Sequence, residues 1–409
     1  MKRFLLVLVA ISPLVPAALV GCSSSSASKG AGGPSSSSGG GSSGAGGSSG
    51  ASGSSGAGGS SGASGSSGAG GSSGAGGSSG GGGSSGGTSS GGSSSGANGD
   101  VQIAGGIGSI RSMVAVGSTL LWIDTNNKSI ESVPIAGGNV AQVVTDPDLA
   151  IDMTSDGTHI WYTSSGAATG QALVRVGMDG SGRTTALGDV NLITAHQTTT
   201  TQLFAVNGNV YLAGSLLGDS GIPTDDWGIF AVPTSGGAAN MVLGAGGKWT
   251  GAQIYRVDTS GIYFTYAAGA GVGGNATAPL GGGTLTPLGS VGESETVAVN
   301  GGFLWSADLQ LTQLSSSLLK APLAGGAAAT VQTYQDEEGA TIDGDAAGLY
   351  WWATGGNGGL YSIDPSTGNQ TLVTDGNGSL SNQNHAMDAK NVYFVEDTGG
   401  VYSVWSHAR

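Results

Sequence analysis

Among 409 residues there is one cysteine, Cys22, and its sulfur is the one side chain whose chemistry stands out from position alone. A lone thiol excludes an intramolecular disulfide framework and any multi-cysteine metal centre. What remains for it is nucleophilic chemistry, such as forming a thioether. The second candidate set is carboxylate and amide. Counting four back from the last apolar residue of each repeat's first strand gives Ser112, Leu149, Gln202, Gln253, Glu295, Glu338 and Gln383. Five of these are Gln or Glu, and Glu293, Asp336, Glu337, His196 and His385 lie nearby. Converging carboxylates bind a cation or a polar ligand, and their repulsion raises some of their pKa values. The bland alternative is that a water-filled channel simply admits polar side chains. Asp225, Asp226 and Trp227, inside "LLGDSGIPTDDWG" (216–228), form a third set: charge beside an aromatic in a loop, suited to a glycan or protein contact or to folding back on its own blade.

Other motifs carry less. The four histidines, His159, His196, His385 and His407, show no metal-ligand spacing. "DGNGS" (375–379) begins like an oxygen-ligand calcium loop, yet Leu380 and Ala386 stand where Gly and Glu are needed. No metal or cofactor is therefore expected, with calcium as the exception to test. "GTSSG" (87–91) fits the Gly-x-Ser-x-Gly pattern, but chance supplies such matches in this composition.

These residues need elements to position them, and the chain divides sharply. Lys2 and Arg3 precede an apolar run from Phe4 to Val20, which ends Leu19-Val20-Gly21-Cys22. That is the pattern of a secretory signal over 1–21, too short for a stable span. Residues 22–99 are Cys22 followed by Gly, Ser and Ala with no apolar period. They predict a disordered tether, roughly 50 Å across on average for a Gly-rich coil. All 26 acidic residues lie from Asp100 onward with nine of the twelve basic ones, so residues 100–409 carry about −17. Such a surface repels nucleic acid and anionic headgroups.

From residue 108 a unit recurs. An apolar–aromatic triplet appears at Leu120-Leu121-Trp122, Ile160-Trp161-Tyr162, Val210-Tyr211-Leu212, Ile262-Tyr263-Phe264, Phe303-Leu304-Trp305, Leu349-Tyr350-Trp351 and Val392-Tyr393-Phe394. Its period of about 40–50 residues is propeller length. Each triplet is followed by an apolar strand and a turn, as in "IESVPIAGG" (130–138), "IFAVPTSGG" (229–237) and "LLKAPLAGG" (318–326). The fourth copy, "NATAPLGGG" (275–283), keeps the turn but places Asn275 at an apolar position. Four short strands per unit predict an all-β fold, a seven-bladed propeller, with six blades plus an irregular unit as the alternative. "DVQIAGG" (100–106) is a spare strand, expected to complete the last blade and close the ring.

Two resemblances follow. The Leu-Val-Gly-Cys ending resembles the bacterial lipobox, which implies diacylglycerol on the Cys22 sulfur, cleavage before it, and acylation of the new amine. The partner implied is a lipid bilayer, and Ser23 after the cysteine implies the outer membrane. The units "LLWIDTNNKSIESVPIAGG" and "LYWWATGGNGGLYSIDPSTG" resemble the YWTD-type propeller repeat, whose propellers have six blades. Lipobox, tether and propeller together resemble uncharacterised lipoproteins of myxobacteria. The expected function is a monomeric, membrane-anchored binding module for protein or polysaccharide. The alternative is a calcium-assisted hydrolase or lactonase using the axial carboxylates.

Overall fold

In a computed structural model, residues 99–409 are described except 168–169, 193–202, 218–222, 245–248, 269–271, 290–296, 311–314, 336, 356–358 and 376–378. The signal and tether readings, and the 87–91 motif, therefore lie outside the described residues. Every described element is a β-strand, and 28 strands make seven four-stranded antiparallel blades. Blade 1 is β2 (Arg111–Val116), β3 (Thr119–Asp124), β4 (Ser129–Pro134) and β5 (Ala141–Thr145). Blade 2 follows with β6 (Leu149–Ser155), β7 (His159–Ala167), β8 (Gly170–Gly177) and β9 (Thr184–Leu192). Blade 3 is β10 (Phe204–Val206), β11 (Asn209–Leu217), β12 (Pro223–Pro233) and β13 (Asn240–Leu243). Blade 4 is β14 (Trp249–Asp258), β15 (Gly261–Ala268), β16 (Val272–Ala278) and β17 (Thr286–Pro287). Blade 5 is β18 (Val297–Asn300), β19 (Phe303–Gln310), β20 (Ser315–Pro322) and β21 (Ala329–Gln335). Blade 6 is β22 (Glu337–Asp345), β23 (Gly348–Gly355), β24 (Gly359–Ile363) and β25 (Gln370–Thr374). Blade 7 takes β26 (Ser379–Met387), β27 (Asn391–Asp397) and β28 (Tyr402–Ala408) from the end of the chain. Its outer strand is β1 (Val101–Ile107), antiparallel to β28 with Val101 opposite Ser406 and Ile107 opposite Tyr402. The spare strand thus closes the ring, and the six-bladed alternative is set aside.

Period-2 alternation explains why the triplets recur. In a strand, successive side chains point to opposite faces, so one triplet serves two seams. Leu120 and Trp122 pack against Tyr393 and Val395 of blade 7. Leu121 and Ile123 turn the other way, onto Ile160 and Tyr162 of blade 2. The rule holds around the ring: Trp161 meets Val210 and Leu212, and Tyr211 meets Ile262 and Phe264. Blade 5 needs a correction of one residue. Leu304 faces back to Tyr263, while Phe303 and Trp305 face forward to Leu349 and Trp351. Its structural triplet is therefore Leu304-Trp305-Ser306, displaced because its hairpin pairs Asn300 with Phe303.

The turns between third and fourth strands do a second job. Gly180 and Gly282 have φ of 81° and 80°, a region where a side chain is strained. Each also lies against the outer strand of the preceding blade, where a Cβ would overlap the carbonyl oxygen of Val143 or Val242. Blades 2 and 3 are further joined by main-chain pairing, with Val190–Leu192 of β9 running along Gly214–Leu216 of β11.

Two glycines separate close approach from backbone preference. Gly301 has φ of 61° with open space around it, whereas Gly282 combines positive φ with the overlap. Gly301→Ala is expected to cost about 1 kcal/mol and Gly282→Ala at least about 2 kcal/mol, read from urea unfolding midpoints. Equal losses would show that the turns do not abut the neighbouring blades. Deleting residues 100–107 removes buried Ile103, Ala104 and Ile107 and should lower Tm by several degrees.

Candidate functional site

The first strand of each blade lines the axis, and its position opposite the middle of the structural triplet is equivalent in all seven. That position holds Val114, Thr154, Phe204, Arg256, Ala298, Asp343 and Ala386 in blades 1 to 7. Five are apolar or small, and two carry opposite charges. Alternation points Asp343 forward to blade 7. His385, opposite Phe394 and one step off this position, points back to blade 6. The two meet in the seam with His385 Nε2 3.2 Å from Asp343 Oδ2. Arg256 reaches past blade 5 and donates from Nη1 to Asp343 Oδ1 at 3.0 Å. Its Nε lies 3.6 Å from Asp258 Oδ2. The His385 ring stacks on Trp352 with centroids 4.1 Å apart and planes at 30°. Blades 4, 6 and 7 are thereby tied at the axis by one carboxylate.

Asp343 is a quarter exposed. Burial raises its pKa. The hydrogen bond to His385, the charges of His385 and Arg256, and the Gly344 N–H outweigh burial, so its carboxyl titrates below the ordinary aspartate range. The cluster therefore holds a fixed ionised acid already matched by a guanidinium. Neighbouring seams carry related ties. Asn300 donates to the Asp345 carbonyl at 2.5 Å, and Asn384 to the Ile110 carbonyl at 2.8 Å. Arg409 forks onto the Asp345 carboxylate, which its hydrogen bonds hold below the usual range against the opposing effect of burial. In blade 2, buried Asp146 accepts from Tyr162 at 2.9 Å and from Arg183 at 2.7 Å. Desolvation and that carboxylate push the Tyr162 phenol up to about 12, against the opposing Arg183 contact.

The ring counted from the sequence fares unevenly. Gln202 and Glu295 lie outside the described residues, as do His196, Glu293 and Asp336. Glu338 and Gln383 are placed in β22 and β26 by their backbones. Gln253 is half-buried on β14 opposite Thr265. Ser112 is not a channel residue. It is buried with φ of 47°, and its Oγ accepts the Met153 N–H at 3.1 Å, tying blade 1 to blade 2. Leu149 is buried in the same seam. Asp225, Asp226 and Trp227 belong to strand β12, not to a loop, and Trp227 packs half-buried against the seam between blades 3 and 4. The "DGNGS" segment falls mostly outside the described residues.

The sequence reading named His385 but passed over Arg256, Asp343 and Trp352. A signal for two of them was present. Aligning the repeats on the turns "DTSG" and "DAAG" puts Arg256 and Asp343 at a position that is otherwise apolar or small. Among the described residues, no three His, Cys, Asp or Glu side chains approach closely enough to hold a metal ion.

No protein-family model matches the chain, and no curated protein matches it. Solved structures do resemble it. An oligogalacturonate lyase in complex with manganese aligns with TM-score 0.50 and 12% identity, over 76% of this chain and 93% of that one. The oligogalacturonate lyase of Vibrio parahaemolyticus gives 0.48 and 11%, over 75% and 92%. A gluconolactonase from Xanthomonas campestris gives 0.40 and 12%, over 76% and 89%. At such identities the likeness is one of fold, and it transfers neither metal nor substrate.

Because Asp343 titrates below its unfolded value, the stability it contributes is present above about pH 4. It is lost as pH falls through the lower, folded pKa. Asp343→Asn should lower Tm at pH 7 and flatten the fall in Tm between pH 5 and pH 2. A variant whose acid profile stays parallel to that of the parent would show that the axial carboxylate carries no such linkage.

Proposed function

We propose that the chain is an exported, lipid-anchored propeller that binds a protein or a polysaccharide. The observation that carries this reading is that three charged groups at the axis, Arg256, Asp343 and His385, are spent on one another. Arg256, Asp343 and His385 join three blades, and a carboxylate held ionised by a guanidinium is poorly suited to exchange a proton with substrate near neutral pH. A rigid, closed ring of seven blades presents preorganised surfaces, which lowers the ordering cost of binding.

Anchoring is supported by the Leu19-Val20-Gly21-Cys22 ending and the Gly/Ser-rich stretch that follows. Several acyl chains give durable attachment where one gives only marginal binding. A tether of that composition holds a domain clear of a bilayer while leaving it free to reorient. In this reading Ser23 after the cysteine directs the anchor to the outer membrane.

The competing reading, a calcium-assisted hydrolase or lactonase, places its chemistry at Glu295 and Glu338. Calorimetric titration with calcium separates the two. The binding module is expected to give no calcium heat that Glu295→Gln and Glu338→Gln abolish, whereas a saturable, carboxylate-dependent calcium site would overturn it. For the anchor, Cys22→Ser should abolish incorporation of labelled palmitate and leave the propeller's unfolding transition unchanged. Persistent labelling would remove the lipoprotein reading.

A further inference from the structure

The seam between blades 6 and 7 is closed at its turn end by the last residue of the chain. Arg409 follows the third strand of blade 7, reaches back to blade 6, forks onto Asp345 and lies over the Tyr350 ring at 5.4 Å. Blade 1 differs at the equivalent place. Asn391 pairs with Ala408 in blade 7 as Thr119 pairs with Pro134 in blade 1, so Ile135 stands where Arg409 would. Its side chain packs against the apolar seam and offers no hydrogen bond to Asp388, the counterpart of Asp345. Between the two blades lies a cleft of about 470 Å³, walled by the blade 1 turns at 117–118 and 134–136 and the blade 7 turn at 388–391. Pockets of about 300–1,000 Å³ are the usual size for a small organic ligand.

Some polar groups of the cleft are held in place and others are free. Asp388 Oδ1 accepts the N–H groups of Lys390 and Asn391 at 2.7 and 2.8 Å, and Oδ2 accepts the buried Tyr393 hydroxyl at 2.7 Å. Asn391 Nδ2 donates to the same hydroxyl at 3.2 Å. Burial raises the Asp388 pKa, but the hydrogen bonds outweigh it and keep the carboxyl below the ordinary aspartate range. Burial and that carboxylate push the Tyr393 phenol up, so it stays a donor at neutral pH. A carboxylate accepts about four hydrogen bonds, which leaves Asp388 room for another. The Lys390 ammonium and the Ser118 hydroxyl have no partner among the described residues. Pro134, Ile135 and Ala389 add an apolar side.

A fixed acceptor and two free polar groups beside an apolar strip match a ring with adjacent hydroxyls on its rim and C–H groups on its face. Each hydroxyl both donates and accepts, so it can give to Asp388 and take from Lys390. The charge of about −17 on residues 100–409 disfavours an anionic ligand of that shape. We propose that the cleft between blades 7 and 1 binds a neutral sugar unit of a polysaccharide, with Asp388 accepting from and Lys390 donating to neighbouring hydroxyls. This rests on the reading of the chain as a binding module and decides for polysaccharide over protein.

The test presents the whole chain to an array of neutral and acidic oligosaccharides and follows the neutral members that bind by calorimetry. At least one should bind saturably. Lys390→Ala removes a free, exposed donor, so it should keep the parent's Tm and weaken binding about tenfold. Ala136→Trp, at the exposed rim, should fill the cleft and abolish binding at an unchanged Tm. If that variant proves destabilised, Lys390→Ala decides the matter. Neutral-sugar binding that survives either folded variant unchanged would overturn the cleft as the site while leaving the polysaccharide reading in place. Binding confined to acidic sugars would overturn the assignment to a neutral unit. No binding across the array would overturn it too, and would leave a protein as the ligand of the binding module.

Discussion

Each blade is a sheet with two apolar faces, and that single constraint organises the molecule. A sheet of four short strands cannot stand in water with both faces exposed, so every blade must be flanked. Placing seven around an axis gives every face a partner only if the last blade meets the first. Leu120 and Trp122 of blade 1 therefore depend on Tyr393 and Val395 of blade 7, more than 270 residues away in the chain. Closure through β1 and β28 makes that seam equivalent to the others. His407 beside Asp100, 2.7 Å apart, adds a polar tie at the same junction.

The charges are arranged around that packing rather than against it. A carboxylate at the inner edge of a seam is costly unless paired, and Asp343 meets this by drawing Arg256 and His385 from two other blades. Such a pair adds little net stability compared with an apolar replacement, but removing one partner leaves a charge without its match. Its effect is to fix how blades 4, 6 and 7 sit at the axis. An acid held in that way is a structural group.

Blade 4 shows how the repeat can be locally relaxed. Its second strand packs like the others, through Ile262, Tyr263 and Phe264, so the seams on either side are complete. Only the outermost strand, which buries least, is shortened. The ring tolerates this because the loss falls at the rim and not at a seam.

The apolar triplets were legible because alternation at a period near 45 residues reports burial on both faces directly. The spare strand at 100–106 was legible for the same reason: an apolar segment without a repeat of its own needs a place in the sheet. Fold class, blade number and closure thus followed from local pattern. Register did not, and blade 5 slipped by one because Phe303 is as apolar as the residue that truly faces the seam. The axial cluster was also out of reach. Arg256, Asp343 and His385 are separated by 87 and 42 positions, and only the angular placement of their blades brings them within hydrogen-bond distance. Trp227 looked like a loop aromatic because its neighbours are polar, whereas the ladder to β11 makes it part of a strand. Sequence alone determined which faces must be buried; the tertiary ring decided which charges meet, since that depends on where whole blades lie rather than on what adjoins a residue in the chain.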